Sequence, residues 1–131
     1  MIEQLASVSV GTRAALTLIL TLMLLVLSLI PGRAEPGDSV FVWAVAMTPT
    51  PLQKLMHLLL YALLTFLWAW TLEGLESMRT RFLVAALLAA SFGAVMELAQ
   101  THVSGRFGTL ADALLNGAGV ALGLVIAWLL L

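Results

Sequence analysis

The sequence predicts an all-α polytopic membrane bundle of four transmembrane helices, and three observations predict it. Of the 131 residues, 62% are hydrophobic and 10% charged, and the mean hydropathy is +1.09, which an ordinary soluble domain does not reach. Four apolar stretches approach or exceed the roughly 20 residues that a helix needs to cross hydrocarbon. Breakers and most of the charged residues fall between those stretches or at their ends. At this length a single membrane domain spans 1–131.

The first span covers about residues 14–30 and stops at Pro31-Gly32, which cannot continue a helix. Its leucines, among them Leu18, Leu20, Leu22, Leu24, Leu25 and Leu27, lie all round the helix, as in a lipid-facing span. A charged start followed by an apolar run also describes a secretory signal. The run is longer than a usual signal core, and residues 28–35 offer no clean small-x-small cleavage site, so it reads as a span. The long connection 31–51 contains residues 40–47, too short to cross and bearing Trp43, which predicts an interfacial segment. The remaining spans cover about 52–72, 82–100 and 110–131.

Composition excludes several functions. A net charge of -1 with scattered charges leaves no basic surface for nucleic acid. With no cysteine, disulfides, thiol chemistry and Cys-ligated zinc are all excluded. Orientation follows the Lys/Arg bias, but Arg13, Arg79 and Arg81 on one side balance Arg33, Lys54 and Arg106 on the other. Setting Lys54 and Arg106 aside as bound leaves three against one and predicts N-in and C-in in a bacterial cytoplasmic (inner) membrane. Trp68, Trp70 and Trp128 then form an inner-interface belt.

Alternation brings the polar residues of the apolar segments to one end of the bundle. Lys54 and His57 open the second helix, Glu97 and Gln100 close the third, Arg106 lies in the turn, and Asp112 and Asn116 open the fourth. At about 100° per residue, Lys54, His57, Tyr61, Thr65 and Trp68 share one face of the second helix. Ala86, Ala89, Ala90, Gly93, Glu97 and Gln100 share a face of the third, and Asp112, Asn116, Gly119 and Gly123 a face of the fourth. The Gly119-x-x-x-Gly123 spacing allows close helix approach and predicts that the third and fourth helices pack face to face.

Each residue also has a plainer role. Lys54 suits an interfacial anchor, Tyr61 a packed aromatic with a satisfied hydroxyl, and Asp112 a Thr-x-x-Asp helix start. Asn116 suits an interhelical lock worth about 0.6 kcal/mol, and His102 a loop residue. Glu97 fits such a role least, because a carboxyl at membrane depth costs about 2.5 to 3.5 kcal/mol and is retained for function or pairing.

The ordered set Lys54-x-x-His57-x-x-x-Tyr61, Glu97-x-x-Gln100, Arg106 and Asp112-x-x-x-Asn116-x-x-Gly119 resembles the VanZ-like family of small membrane proteins. The resemblance covers about residues 51–131, the first helix matching only as a generic span. One departure is Gln53, where the family often carries Asp beside the lysine. The resemblance implies an envelope protein linked to glycopeptide (teicoplanin) resistance, without a settled biochemical activity.

The expected function is binding or handling of an anionic, phosphate-bearing lipid or lipid-linked cell-wall precursor at the outer leaflet. Its ligand set is Lys54, His57, Tyr61, Glu97, Gln100, Arg106, Asp112 and Asn116, with Arg106 as planar fork and Lys54 as point charge. No cofactor and no resident metal are called for. One alternative is an intramembrane enzyme with Glu97 or His57 as acid or base and Asp112 as a further catalytic candidate. Without a nucleophile beside His57, it would need an activated water, on a metal held by His57, Glu97 and Asp112 or without one. The other alternative is a purely structural interaction module. Monomer and homo-oligomer fit the sequence equally.

Overall fold

The structure, a computed structural model, describes residues 2–75 and 77–131. Four helices in it are long and apolar enough to cross a membrane. Most begin on a hydroxyl cap that satisfies an otherwise orphaned backbone amide. Ser9 accepts from the Thr12 amide at the start of α2 (Val10–Leu29), which follows the short α1 (Ile2–Ala6). Ser39 caps α3 (Val40–Ala46) in the same way. The next helix, α4 (Thr50–Thr71), begins instead with Pro51 in its first turn, where the missing N–H costs nothing. It ends in a 3₁₀ turn, Leu72–Gly74. Ser77 caps α5 (Met78–Gln100), and Thr109 caps α6 (Leu110–Leu130).

The spans match the expected four, but α2, α4 and α5 start 2 to 4 residues earlier than 14, 52 and 82, because their caps lie upstream of the apolar run. The expected interfacial segment is α3, which buries none of its residues and exposes Val40, Phe41 and Trp43. That surface suits the membrane interface.

Packing centres on α4, which touches α2, α5 and α6, its most extensive contact being with α6. The third and fourth helices do meet, as expected, and Asn116 bonds Glu97 between them, but the glycine stripe does not face that contact. The glycine stripe of α6 faces α4: a Cβ on Gly119 would lie 2.5 Å from the Leu58 carbonyl oxygen, and one on Gly123 would collide with that of Ala62. Two backbones that close require glycine at the contact. The small face of α5 receives a side chain instead, since a Cβ on Gly93 would come within 2.9 Å of the Tyr61 ring.

The first helix also departs from expectation. Arg13, Thr17, Leu20 and Leu24 form a buried stripe on α2, so the helix is lipid-facing on one side only. Thr17 and Thr71 share a hydrogen bond of 2.8 Å between their hydroxyls. Nearby, Arg13 pairs with Glu73 and donates to the carbonyls of Leu5, Ala6, Val8 and Trp70. At the same end, buried Arg81 donates from Nε to the Ala69 carbonyl. The cations held within the protein are therefore Arg13, Arg81 and Arg106, while Lys54, Arg33 and Arg79 are exposed. The three-against-one count needed the reverse for Lys54, Arg13 and Arg81, so the charge bias does not carry the orientation.

Candidate functional site

The polar residues converge at the end of the bundle formed by the start of α4, the end of α5 and the start of α6. On α4, His57 is half-buried and Tyr61, one turn deeper, is 3% exposed. Their rings lie nearly parallel, with centroids 6.5 Å apart. The Asn116 side chain on α6 lies between α4 and α5. Its Nδ2 donates to Glu97 Oε1 at 2.9 Å, and its Oδ1 lies 2.8 Å from His57 Nδ1. With Nδ2 facing the Glu97 carboxyl oxygen and Oδ1 facing the His57 ring, the network assigns the amide orientation. His57 then donates from Nδ1 to Asn116, leaving Nε2 as the nitrogen with a free lone pair in the neutral ring. Glu97 is 8% exposed, and its Oε2 has no hydrogen-bond partner among the described residues.

In front of this relay is a cavity of about 100 Å³, large enough for several waters or a phosphate-sized group. His57, Tyr61, Gln100 and Arg106 supply one part of its lining, and Leu24, Leu27, Met56 and Leu60 supply an apolar part. Gln53 and Thr48 also line it, tied to each other by a 2.7 Å bond from Gln53 Nε2 to the Thr48 carbonyl.

Arg106 reaches the cavity by closing the end of α2. Its Nε donates to the Ile30 carbonyl and its Nη2 to that of Leu27, both at 3.1 Å, satisfying acceptors that a helix C-terminus leaves open. Two loops dock to hold it there: the Gly32 amide donates to the Ser104 carbonyl at 2.9 Å. Gly105 turns at φ +71°, and Gly32 lies against it with no room for a Cβ. Burial pulls the Arg106 pKa below its ordinary value, and the Glu97 carboxylate offsets part of that shift.

Six of the eight expected ligand residues are thus assembled: His57, Tyr61, Gln100 and Arg106 at the cavity, and Glu97 and Asn116 behind it. Lys54 and Asp112 are not among its lining. Lys54 is exposed in the first turn of α4, where a long aliphatic stem carries an ammonium to the interface. Asp112 accepts a 2.6 Å bond from the Thr109 hydroxyl, which itself caps the Asp112 amide, so the pair forms the start of α6. His102 is exposed in the loop, as expected. Gln53, Thr48 and Ser28 join the cavity without having been expected there. Gln53 carried a signal, one residue before the Lys54 motif, whereas Ser28 lay hidden in a leucine-rich run. Among the described residues no group of three or more His, Asp and Glu is arranged to hold a metal ion.

A family model described as VanZ/LLP1 matches residues 14–131. The chain belongs to the VanZ/LLP1 family. The matched region extends through α2, so in this VanZ/LLP1 protein the first helix is part of the family domain and not merely a generic span, in keeping with its buried stripe against α4. No curated protein and no solved structure gave a match.

Proposed function

We propose that this integral membrane protein binds an anionic, phosphate-bearing lipid in the cavity between α2 and α4. The observation that carries the reading is the lining itself, where the Arg106 guanidinium and the His57 ring share one cavity with the leucines of two membrane-spanning helices. A phosphate meets a charged donor there while its acyl or prenyl chain stays in hydrocarbon. A bacterial cytoplasmic-membrane setting, a lipid-linked cell-wall precursor as ligand and a role in teicoplanin resistance come from the reading of the sequence and its family resemblance, while the outer leaflet with N-in and C-in termini is one of the two orientations that alternation allows. They are part of this proposal.

Mass spectrometry of lipids copurifying with the protein tests it. Ser28→Phe fills the cavity without touching the Glu97–Asn116–His57 relay, and the expected result is loss of an anionic lipid that wild type retains. An identical lipid complement in both proteins would overturn the reading.

One observation favours a second reading, catalysis within the membrane. The relay fixes His57 with Nε2 unprotonated in the neutral ring, the form a general base needs. Glu97 acts there through the amide as an orienting group, since a carboxamide does not pass protons along. Hydrolysed lipid products in the wild-type spectra that vanish with His57→Asn would move the assignment to an enzyme.

A further inference from the structure

We infer that the cavity selects a singly charged phosphodiester lipid with an uncharged, hydroxylated headgroup, the chemistry of phosphatidylglycerol, over pyrophosphate-linked and ammonium-bearing lipids. The inference rests on the lipid-binding reading above; it keeps the anionic lipid of that reading and replaces the lipid-linked cell-wall precursor with a phosphodiester lipid. It begins from the charge available. Among the described residues Arg106 is the one permanently charged side chain in the lining, and its Nε and Nη2 are already committed to the Ile30 and Leu27 carbonyls. One guanidinium edge is left for a ligand, which matches a single negative charge. Lys54, the other cation at this end, does not line the cavity.

Behind the cavity lies a buried carboxyl group, not a second cation. Glu97 Oε1 lies 3.9 Å from His57 Nδ1, and its Oε2 has no hydrogen-bond partner among the described residues. A second or third negative charge on the ligand would face this carboxyl without gaining a cation, and in a poorly solvated site an unpaired charge is costly. Pyrophosphates and dianionic monoesters are disfavoured on that ground.

The neutral polar groups specify the rest. Ser28, Thr48, Gln53 and Gln100 offer hydroxyl and carboxamide groups, and among the described residues no carboxylate lines the cavity. Hydroxyls find donors and acceptors among these groups, whereas an ammonium would give up hydration without gaining a counter-ion. Met56 and Leu60 of α4 and Leu24 and Leu27 of α2 provide an apolar surface beside the phosphate for the chain.

The test compares four lipids on one wild-type protein, so no variant has to fold. Native mass spectrometry of the full chain in mild detergent would titrate phosphatidylglycerol, phosphatidylethanolamine, phosphatidic acid and a polyprenyl pyrophosphate. At pH 8 the monoester is dianionic, its second pKa being about 6. Phosphatidylglycerol is expected to bind about tenfold more tightly than each of the others, a difference of affinities set by mismatched charge. Phosphatidic acid or the pyrophosphate binding as tightly or more tightly overturns the charge assignment. Equal or tighter binding of phosphatidylethanolamine overturns the headgroup assignment. In these cases lipid binding itself stands. Absence of binding by all four overturns the lipid-binding reading and this inference together.

Discussion

Asn116 is the residue on which the site turns, because one carboxamide serves two helices at once, accepting from His57 on α4 and donating to Glu97 on α5. A neutral hydrogen bond between membrane helices is worth only about 0.6 kcal/mol, whereas leaving a buried carboxyl without its partner costs about 1 to 3 kcal/mol. The second effect governs Asn116 and the first governs His57. Asn116→Leu should therefore destabilise the protein by about 1 to 3 kcal/mol, and His57→Ala by well under about 1 kcal/mol through the lost hydrogen bond. Unfolding in mixed micelles, followed by helix content, measures both. The double variant Asn116→Leu/Glu97→Leu should recover most of the loss, since it removes the unpaired carboxyl as well; failure to recover would mean that the amide acts through packing alone.

At the scale of elements, α4 is the helix that every other span touches, and the glycines of α6 set how closely it is approached. Gly119 and Gly123 meet backbone carbonyls of α4 that cannot swing away, whereas Gly117 faces open space. Forcing a methyl into a filled interface costs about 1 to 3 kcal/mol. Gly119→Ala should show that loss, while Gly117→Ala should stay within about 0.5 kcal/mol of wild type. Equal effects of the two substitutions in the same unfolding assay would rule out the close α4–α6 contact. The small-residue spacing was legible in the sequence, but its partner was not. Helical periodicity gives the angle of a face on its own helix and says nothing of which neighbour meets it.

For the whole molecule, alternation of four spans places the 31–39 loop and the α4–α5 turn on opposite sides of the membrane. The absence of native cysteine makes this directly testable with single cysteines at the exposed positions Pro36 and Arg79. A membrane-impermeant thiol reagent should label Arg79→Cys only from the cytoplasmic side and Pro36→Cys only from the outside if the termini are inside. The exchanged pattern would place the cavity in the inner leaflet, and labelling of both from one side would contradict the four-span alternation. At the Arg79 end, Arg13 joins α1, α2 and the end of α4 through four carbonyls and Glu73. The bundle is thus tied by polar contacts at both ends, with a mostly apolar middle.

The membrane setting, the number of spans, the end at which the polar groups gather and the family motif are all legible in the residue order, because hydropathy, helix length and alternation are local or one-dimensional properties. The residue order also singles out Glu97 and Asn116, since polar groups in hydrocarbon are costly wherever they point. That Arg106 closes α2, that Asp112 serves its own helix start, that Lys54 is exposed and that α2 completes the cavity wall emerge from the folded chain alone. These assignments depend on contacts such as Arg106 to Leu27, 79 residues apart in the chain. The fold creates such distances, and no local pattern of residues encodes them.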